Sequence, residues 1–174
     1  GNSIVASRIN YTTLLSQAWQ NVFDLVDTRS NVHDPTTSST EVRKMVYARE
    51  PDVKKTGFAG YPFIIVYPAT MEHGDRRSLN MKSVNVTWTV EIEIVTSDRG
   101  NNNRDGQGNA DNNTMTDDIV QLFNDASKRF TLQRNNVFFV KPDVAGQVQE
   151  ELNQTLVFRR SIMLTFGSRM AVST

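Results

Sequence analysis

A chain of 174 residues can fold as one domain with its own apolar core, and 38% apolar against 22% charged residues sets it apart from disordered chains. Nineteen basic residues balance nineteen acidic ones, so no overall field draws it toward nucleic acid or anionic lipid. The absence of cysteine excludes disulfides and thiolate metal sites, and no apolar run approaches the roughly 20 residues of a membrane-spanning helix.

In chain order, Tyr11, Leu15, Ala18, Trp19, Val22 and Val26 recur at three- and four-residue spacings, which predicts an amphipathic helix capped by Asn10 and ended by Asp27 to Ser30. Asn31 to Thr40 is rich in Pro, Ser and Thr and reads as a loop. A short strand is expected at Lys44–Arg49. Tyr61 to Tyr67 is apolar on both faces between prolines and reads as a buried strand, with Pro62 near its start where a missing N–H is tolerated. Thr70 to Ser78, which contains Gly74-Asp75-Arg76-Arg77, reads as a polar turn.

The clearest signal follows. Val84, Val86, Trp88, Val90, Ile92 and Ile94 alternate with Ser83, Asn85, Thr87, Thr89, Glu91 and Glu93. A period of two predicts one long strand with a buried face and a wet face. Ser97 to Asn113 reads as polar, cannot bury enough apolar surface to offset its ordering entropy, and is expected to be a mobile loop; deletion of Arg99–Asn112 is expected to spare the fold and impair assembly. Thr114, with Asp117 three residues on, suggests the cap of a second helix whose apolar face is Met115, Ile119, Leu122, Phe123, Ala126 and Phe130. Val137 to Val140 predicts a short strand and Gln147 to Gln154 an added hairpin arm. The last long strand runs from Leu156 to Phe166, with Phe158, Ile162, Leu164 and Phe166 on one face. Trp19, Trp88, Phe123 and Phe158 read as core. Helices that bracket strands without strict alternation predict a single α+β domain over 1–174, with an antiparallel or mixed sheet packed against two helices.

No catalytic or metal signature stands in the sequence. His33-Asp34 and Glu72-His73-Gly74-Asp75 read as solvated loop residues, lacking the spacing of a catalytic dyad or a zinc site. Glu91 and Glu93 share a strand face, as paired carboxylates would, but on the polar side where surface charges belong. Asn101-x-Asn103-x-Asp105-Gly106 mimics the start of a calcium loop, yet its twelfth position is Asn112 instead of a bidentate Glu. No phosphate loop, nucleophile elbow or dinucleotide fingerprint occurs. No catalytic residue, metal or cofactor is therefore expected. No charged-then-apolar leader opens the sequence, so cytosolic folding is expected, no membrane partner is assigned, and the four Asn-x-Thr sequons read as chance.

The order of elements resembles the tail terminator (tail completion) proteins of tailed bacteriophages. The likeness rests on an N-terminal amphipathic helix, the Tyr61–Tyr67 strand with its prolines, the long Val84–Ile94 strand, the Thr114–Phe130 helix and the final strand through Leu156–Phe166. It covers most of the chain and departs in Ser30–Gly57 and in the Asn/Gly-rich loop. The resemblance implies a structural, non-enzymatic virion protein, assembled in the host cytoplasm. It implies a homo-oligomeric ring, usually a hexamer, that ends growth of the tail tube and joins the tail to the neck or connector protein. DNA would pass through its channel without sequence-specific binding. A head-tail neck or connector protein, or a tube or baseplate adaptor, is the alternative within the virion; a small cytosolic ligand-binding α+β domain is the alternative outside it.

The expected assembly surface is the wet side of the long strand, Asn85, Thr87, Thr89, Glu91 and Glu93. To it are added the basic pairs Arg76-Arg77 and Arg159-Arg160, and the loop residues Arg99 and Arg104. A strand longer than its domain needs can extend a sheet or expose an edge, and a loop that orders on contact suits assembly after the partner is complete.

Overall fold

The computed structural model describes residues 14–37, 43–76, 83–98, 106–134, 137–152 and 154–171. In chain order these form α1 (Leu14–Val26), β1 (Val46–Tyr47), β2 (Phe63–Val66), β3 (Thr70–Arg76), β4 (Ser83–Ser97), α2 (Gly108–Asn124), α3 (Ala126–Arg134), β5 (Phe138–Val144), β6 (Val148–Leu152) and β7 (Thr155–Ala171).

Two strands make the frame. β4 pairs antiparallel with β7 without interruption, from Ser83 opposite Ala171 to Ser97 opposite Val157. At about 3.4 Å per residue this ribbon is roughly 50 Å long. Each of its outer sides is too long for one short strand and carries two. Beside β4, β3 covers Val84 to Thr89 and β2 covers Ile92 to Val95, with β1 parallel to β2 beyond it. Beside β7, β5 covers Ile162 to Gly167 and β6 covers Thr155 to Arg159. The result is a seven-stranded mixed sheet with helices, the α+β class expected.

The alternation of β4 decides where the core lies. Val84, Val86, Trp88, Val90, Ile92 and Ile94 are buried with Ile162, Leu164 and Phe166 of β7 under Ala18, Val22 and Val26 of α1 and Met115, Ile119, Leu122 and Phe123 of α2. The Trp88 indole N–H donates to Ser168 Oγ at 2.5 Å, which satisfies the one polar atom this ring brings inside. Trp19 lies at the margin of the core and donates its indole N–H to the carbonyls of Val66 (3.2 Å) and Tyr67 (3.1 Å). A second, smaller core sits on the opposite face at one end only. There Phe63, Ile65, Val95 and Val157 are covered by Tyr47, Val53, Phe58 and Tyr61.

Several boundaries depart from the sequence reading. Thr70 to Arg76 is not a turn but β3, with a register shift between His73 and Arg76. Its polar residues suit a sheet edge whose pairing comes from β4's backbone. The second helix begins at Gly108, six residues before the expected Thr114 cap, and Thr114 instead donates its hydroxyl to the Ala110 carbonyl at 3.0 Å within the helix. The helix also stops at Asn124, so that Ala126 belongs to α3. Asp125 breaks the pair because its carboxylate accepts from the backbone N–H groups of Ser127 (2.9 Å) and Lys128 (3.1 Å), capping α3. The Ser127 hydroxyl also donates to this carboxylate at 2.5 Å, and that bond first, with the two backbone bonds, holds the Asp125 carboxyl below its ordinary value. β5 and β7 run longer than expected, while β6 is the anticipated arm. The proposed helix start at Tyr11 and the polar stretch 99–105 lie outside the described residues.

The early start of α2 has a tertiary cause. Thr96 donates its hydroxyl to the Gly108 carbonyl at 2.6 Å, and Gly108 N–H donates to Asp98 Oδ1 at 3.3 Å. A Cβ at Gly108 would stand 2.7 Å from the Phe158 ring and 2.8 Å from the Asp98 nitrogen, so only glycine permits this approach. Asn112, fully buried, donates its amide to the carbonyls of Ile94 (3.2 Å) on β4 and Phe158 (3.1 Å) on β7. One side chain thus pins the helix to both strands of the frame, and removing residues 99–112 would remove that pin.

Asn112→Ala should lower unfolding stability by about 2–4 kcal/mol, because it strips a donor from two buried carbonyls. Asn112→Asp should be worse at neutral pH. Its deficit relative to the alanine variant should shrink on acidification, since only the protonated acid regains a donor. Urea denaturation across pH measures both; equal pH profiles would count against the double bond to the strands.

Candidate assembly surface

Among the described residues, none covers the face of the sheet opposite the helices over most of its length beyond the second core. Asn85 and Thr87 are exposed and Thr89, Glu91 and Glu93 half-buried, as the odd positions of β4 require. Register adds Ser161, Met163, Thr165 and Gly167 of β7, opposite Glu93, Glu91, Thr89 and Thr87. From β5 come Phe138, Lys141 and Asp143, opposite Gly167, Thr165 and Met163. The Phe139 ring comes within 3.8 Å of where a Gly167 side chain would begin, which sets it on this same face.

Charge on this face is internally matched at the end nearer the second core. Arg159 is only 15% exposed and donates Nη1 to Glu93 at 3.1 Å and Nε to Glu150 at 2.5 Å, with Nη2 on Glu50. Three carboxylates from three separate segments converge on one guanidinium, whose fork geometry allows it. Burial alone would depress the arginine, but the hydrogen bonds to Glu150 and Glu50 and the charges of Glu50 and Glu93 outweigh it and hold the cation above its usual value. Tyr67 joins by donating its hydroxyl to Glu93 at 3.0 Å. Burial first, then that hydrogen bond and the Glu93 charge, push its phenol well above the ordinary 10.0. Glu91 accepts from the Ser161 hydroxyl at 3.1 Å.

The residues expected to form an assembly surface therefore part company. Asn85, Thr87, Thr89, Glu91, Glu93 and Arg159 share the open face, but Glu93 and Arg159 are engaged within the chain. Arg160 lies opposite Ile94, on the helix side, with its Nε buried and unpartnered. Arg76 ends β3 opposite Val84. Arg77, Arg99 and Arg104 lie outside the described residues.

The candidate chemical groups do not assemble into a catalytic set. His33 Nδ1 lies 3.5 Å from Asp118 Oδ2, not beside Asp34, which instead accepts from Arg43 Nε at 3.2 Å. His33 and Asp118 border a shallow, open cleft of about 230 Å³ with Asn31, Gln121, Asp125 and Lys128. Among the described residues no three His, Asp or Glu side chains stand together as metal ligands. Asn112, the twelfth position of the calcium-like run, turns inward to the strands. Among the described residues no helix is long and apolar enough to cross a membrane. Comparison with known proteins finds no matching family model and no matching curated protein.

Arg159→Ala should cost about 2–3 kcal/mol, chiefly through the mostly buried Glu93 it leaves unpaired, and Arg159→Lys should recover only part because lysine lacks the fork. Chemical denaturation of both variants checks this; full recovery by lysine would show that charge alone matters. A second measurement isolates Tyr67. Its raised value means the unfolded chain ionises first, so the stability it contributes is complete below about pH 10 and falls as pH rises toward the folded value. Tyr67→Phe should therefore lose less stability than the parent over the alkaline range, read from urea midpoints on either side of about pH 10.

Proposed function

We infer that this chain is a structural assembly protein of a phage virion. It forms a ring at the head-proximal end of the tail, ends tube growth and joins the tail to the neck while DNA passes through. What supports this most is the β4–β7 ribbon. It is far longer than the strands of about 5–6 residues usual in a domain of this size. Helices cover one of its faces, and the other, beyond the second core at one end, carries exposed polar and apolar side chains suited to a protein contact. The order of helix, strands, long strand, helices and final long strand adds the resemblance to tail terminators.

The ligand-binding alternative has one observation in its favour, the cleft beside His33. A small-molecule site usually buries most of its ligand among apolar walls with a few polar groups. This cleft is open, and His33 is 69% exposed at its side chain. It fits a solvated groove better than a binding pocket.

The test is functional capping. Purified chain added to polymerising tail-tube subunits should shorten the tubes and appear as a single density at one end in negative-stain images. Binding along the tube wall, binding only to the baseplate end, or no effect on tube length would sink the terminator reading; binding to isolated connector without capping would move the chain to the neck.

A further inference from the structure

Four of the five large apolar side chains that are exposed among the described residues lie on the β5–β6–β7 side of the sheet. They are Phe139 (88% exposed), Val148 (60%), Val144 (47%) and Met163 (42%). Phe139, Met163 and Val148 fall on the open face, the last opposite Arg159 in the register. They follow β7 at intervals of four residues, from Gly167 through Met163 to Arg159, a line roughly 27 Å long.

We propose that this open face, centred on Met163 and Phe139 and flanked by Thr87, Thr89 and Glu91, is where a second copy of the chain seats. The proposal rests on the assembly reading above and assigns its contact surface.

The neighbouring edges are poorly suited to the same task. β5 carries Lys141 and Pro142, and its register shifts between Phe138 and Lys141, devices that block strand addition. β3 has its own register shift before Arg76. Contact through side chains of the face avoids both obstacles.

Charge and area choose the occupant. Away from the Arg159 cluster the described residues of the face include Glu72, Glu91 and Asp143 against Lys141 and Arg169, close to balance. Lys141 is itself 3.7 Å from Asp143. Among the described residues this face has no row of cations to neutralise a phosphate backbone, which argues against nucleic acid as its occupant. A near-neutral surface with apolar centres suits a protein surface, and does not repel a copy of itself. Two central strands about 30 Å long and two flanking strands of seven residues, about 24 Å each, set about 4.8 Å apart, offer roughly 500 Å² per copy, or about 1,000 Å² for a pair. That lies just below the range of stable specific interfaces, about 1,200–2,000 Å², and within that of weak, reversible ones. A contact of this size makes a concentration-dependent pair that gains persistence when each copy has more than one neighbour.

The experiment is sedimentation velocity of the whole chain over a concentration series. The parent is compared with Phe139→Asn/Met163→Lys and with the control Asn113→Arg on the exposed side of α2. Asparagine tolerates the positive φ of 55 at position 139, and thermal melts confirm that each variant folds. The parent and control should self-associate alike, and the double variant should need at least about tenfold higher concentration to do so. A parent that stays monomeric overturns the proposal, as does a double variant that associates like the parent or a control that is equally weakened. The size of the assembly separates this proposal from the ring. A dimer lost in the double variant upholds the face and counts against a six-membered ring, whereas a hexamer insensitive to the double variant upholds the ring and rejects the face.

Discussion

The unbroken pairing of β4 with β7 is the constraint on which the remaining structure depends. Its register, Ser83 with Ala171 through Ser97 with Val157, sets which side chains meet the helices. A slip of one residue would turn Trp88, Ile92 and Ile94 to water and bring Thr87, Glu91 and Glu93 into the core. The ribbon also dictates the arrangement of the short strands. Everything between residues 98 and 154 must leave the end of β4 and return to begin β7 at the same end. The chain uses that excursion to place α2 and α3 on one face and β5 and β6 along the far side.

A frame of this length needs fixing at points where apolar packing is non-directional, and the structure supplies polar joints. Asn112 ties α2 to both central strands. Trp19 ties α1 to the end of β2 through two carbonyls. Arg43 braces the loops at the opposite corner: Nε donates to Asp34 at 3.2 Å, Nη1 to the Gly60 carbonyl at 3.1 Å, and Nη2 to the Pro62 carbonyl. Arg29 in turn donates to the Arg43 carbonyl at 3.0 Å, and burial holds its own guanidinium below the usual arginine value. Each joint offsets the cost of desolvating a polar group by directing it to named acceptors. Together they give the layers a defined relative position that the apolar contacts alone would leave loose.

The parts legible in the sequence are those where one local pattern suffices. The period of two from Ser83 to Ile94 reports the frame, its buried face and its open face, and the spacing Ala18, Val22, Val26 reports the packed side of α1. The parts that escaped are decided by distant partners. β3 reads as a turn because its residues Glu72, His73, Gly74 and Asp75 have no apolar face, yet β4 offers it a backbone ladder. Gly108-Asn109-Ala110-Asp111-Asn112 reads as loop by propensity, and becomes helix because Thr96, Asp98 and the two strand carbonyls hold it. The Arg159 cluster is half legible: Arg159 and Glu93 each fall among the residues expected at the assembly surface, but their pairing spans 66 residues and that with Glu50 spans 109, separations that no local pattern encodes.

The Arg159 cluster also bears on how the two ends of the open face differ. At its own end, the guanidinium gathers Glu50 from the segment after β1, Glu93 from β4 and Glu150 from β6, beside a second core that closes this part of the face. The side chains there are committed to the chain's own packing, and a neighbour would have to displace charge-assisted bonds to use them. From Glu91 to Asn85 the obligations lapse among the described residues: Glu91 accepts from a serine hydroxyl, Thr87 and Asn85 are exposed, and Phe139 stands almost wholly in solvent. An aromatic ring left in water forgoes burial worth about 2 kcal/mol or more, a cost that a partner's surface would offset. Among the described residues, the ribbon thus divides along its length into a part that the chain covers for itself and a part whose apolar side chains are left exposed, and the boundary falls near Glu93.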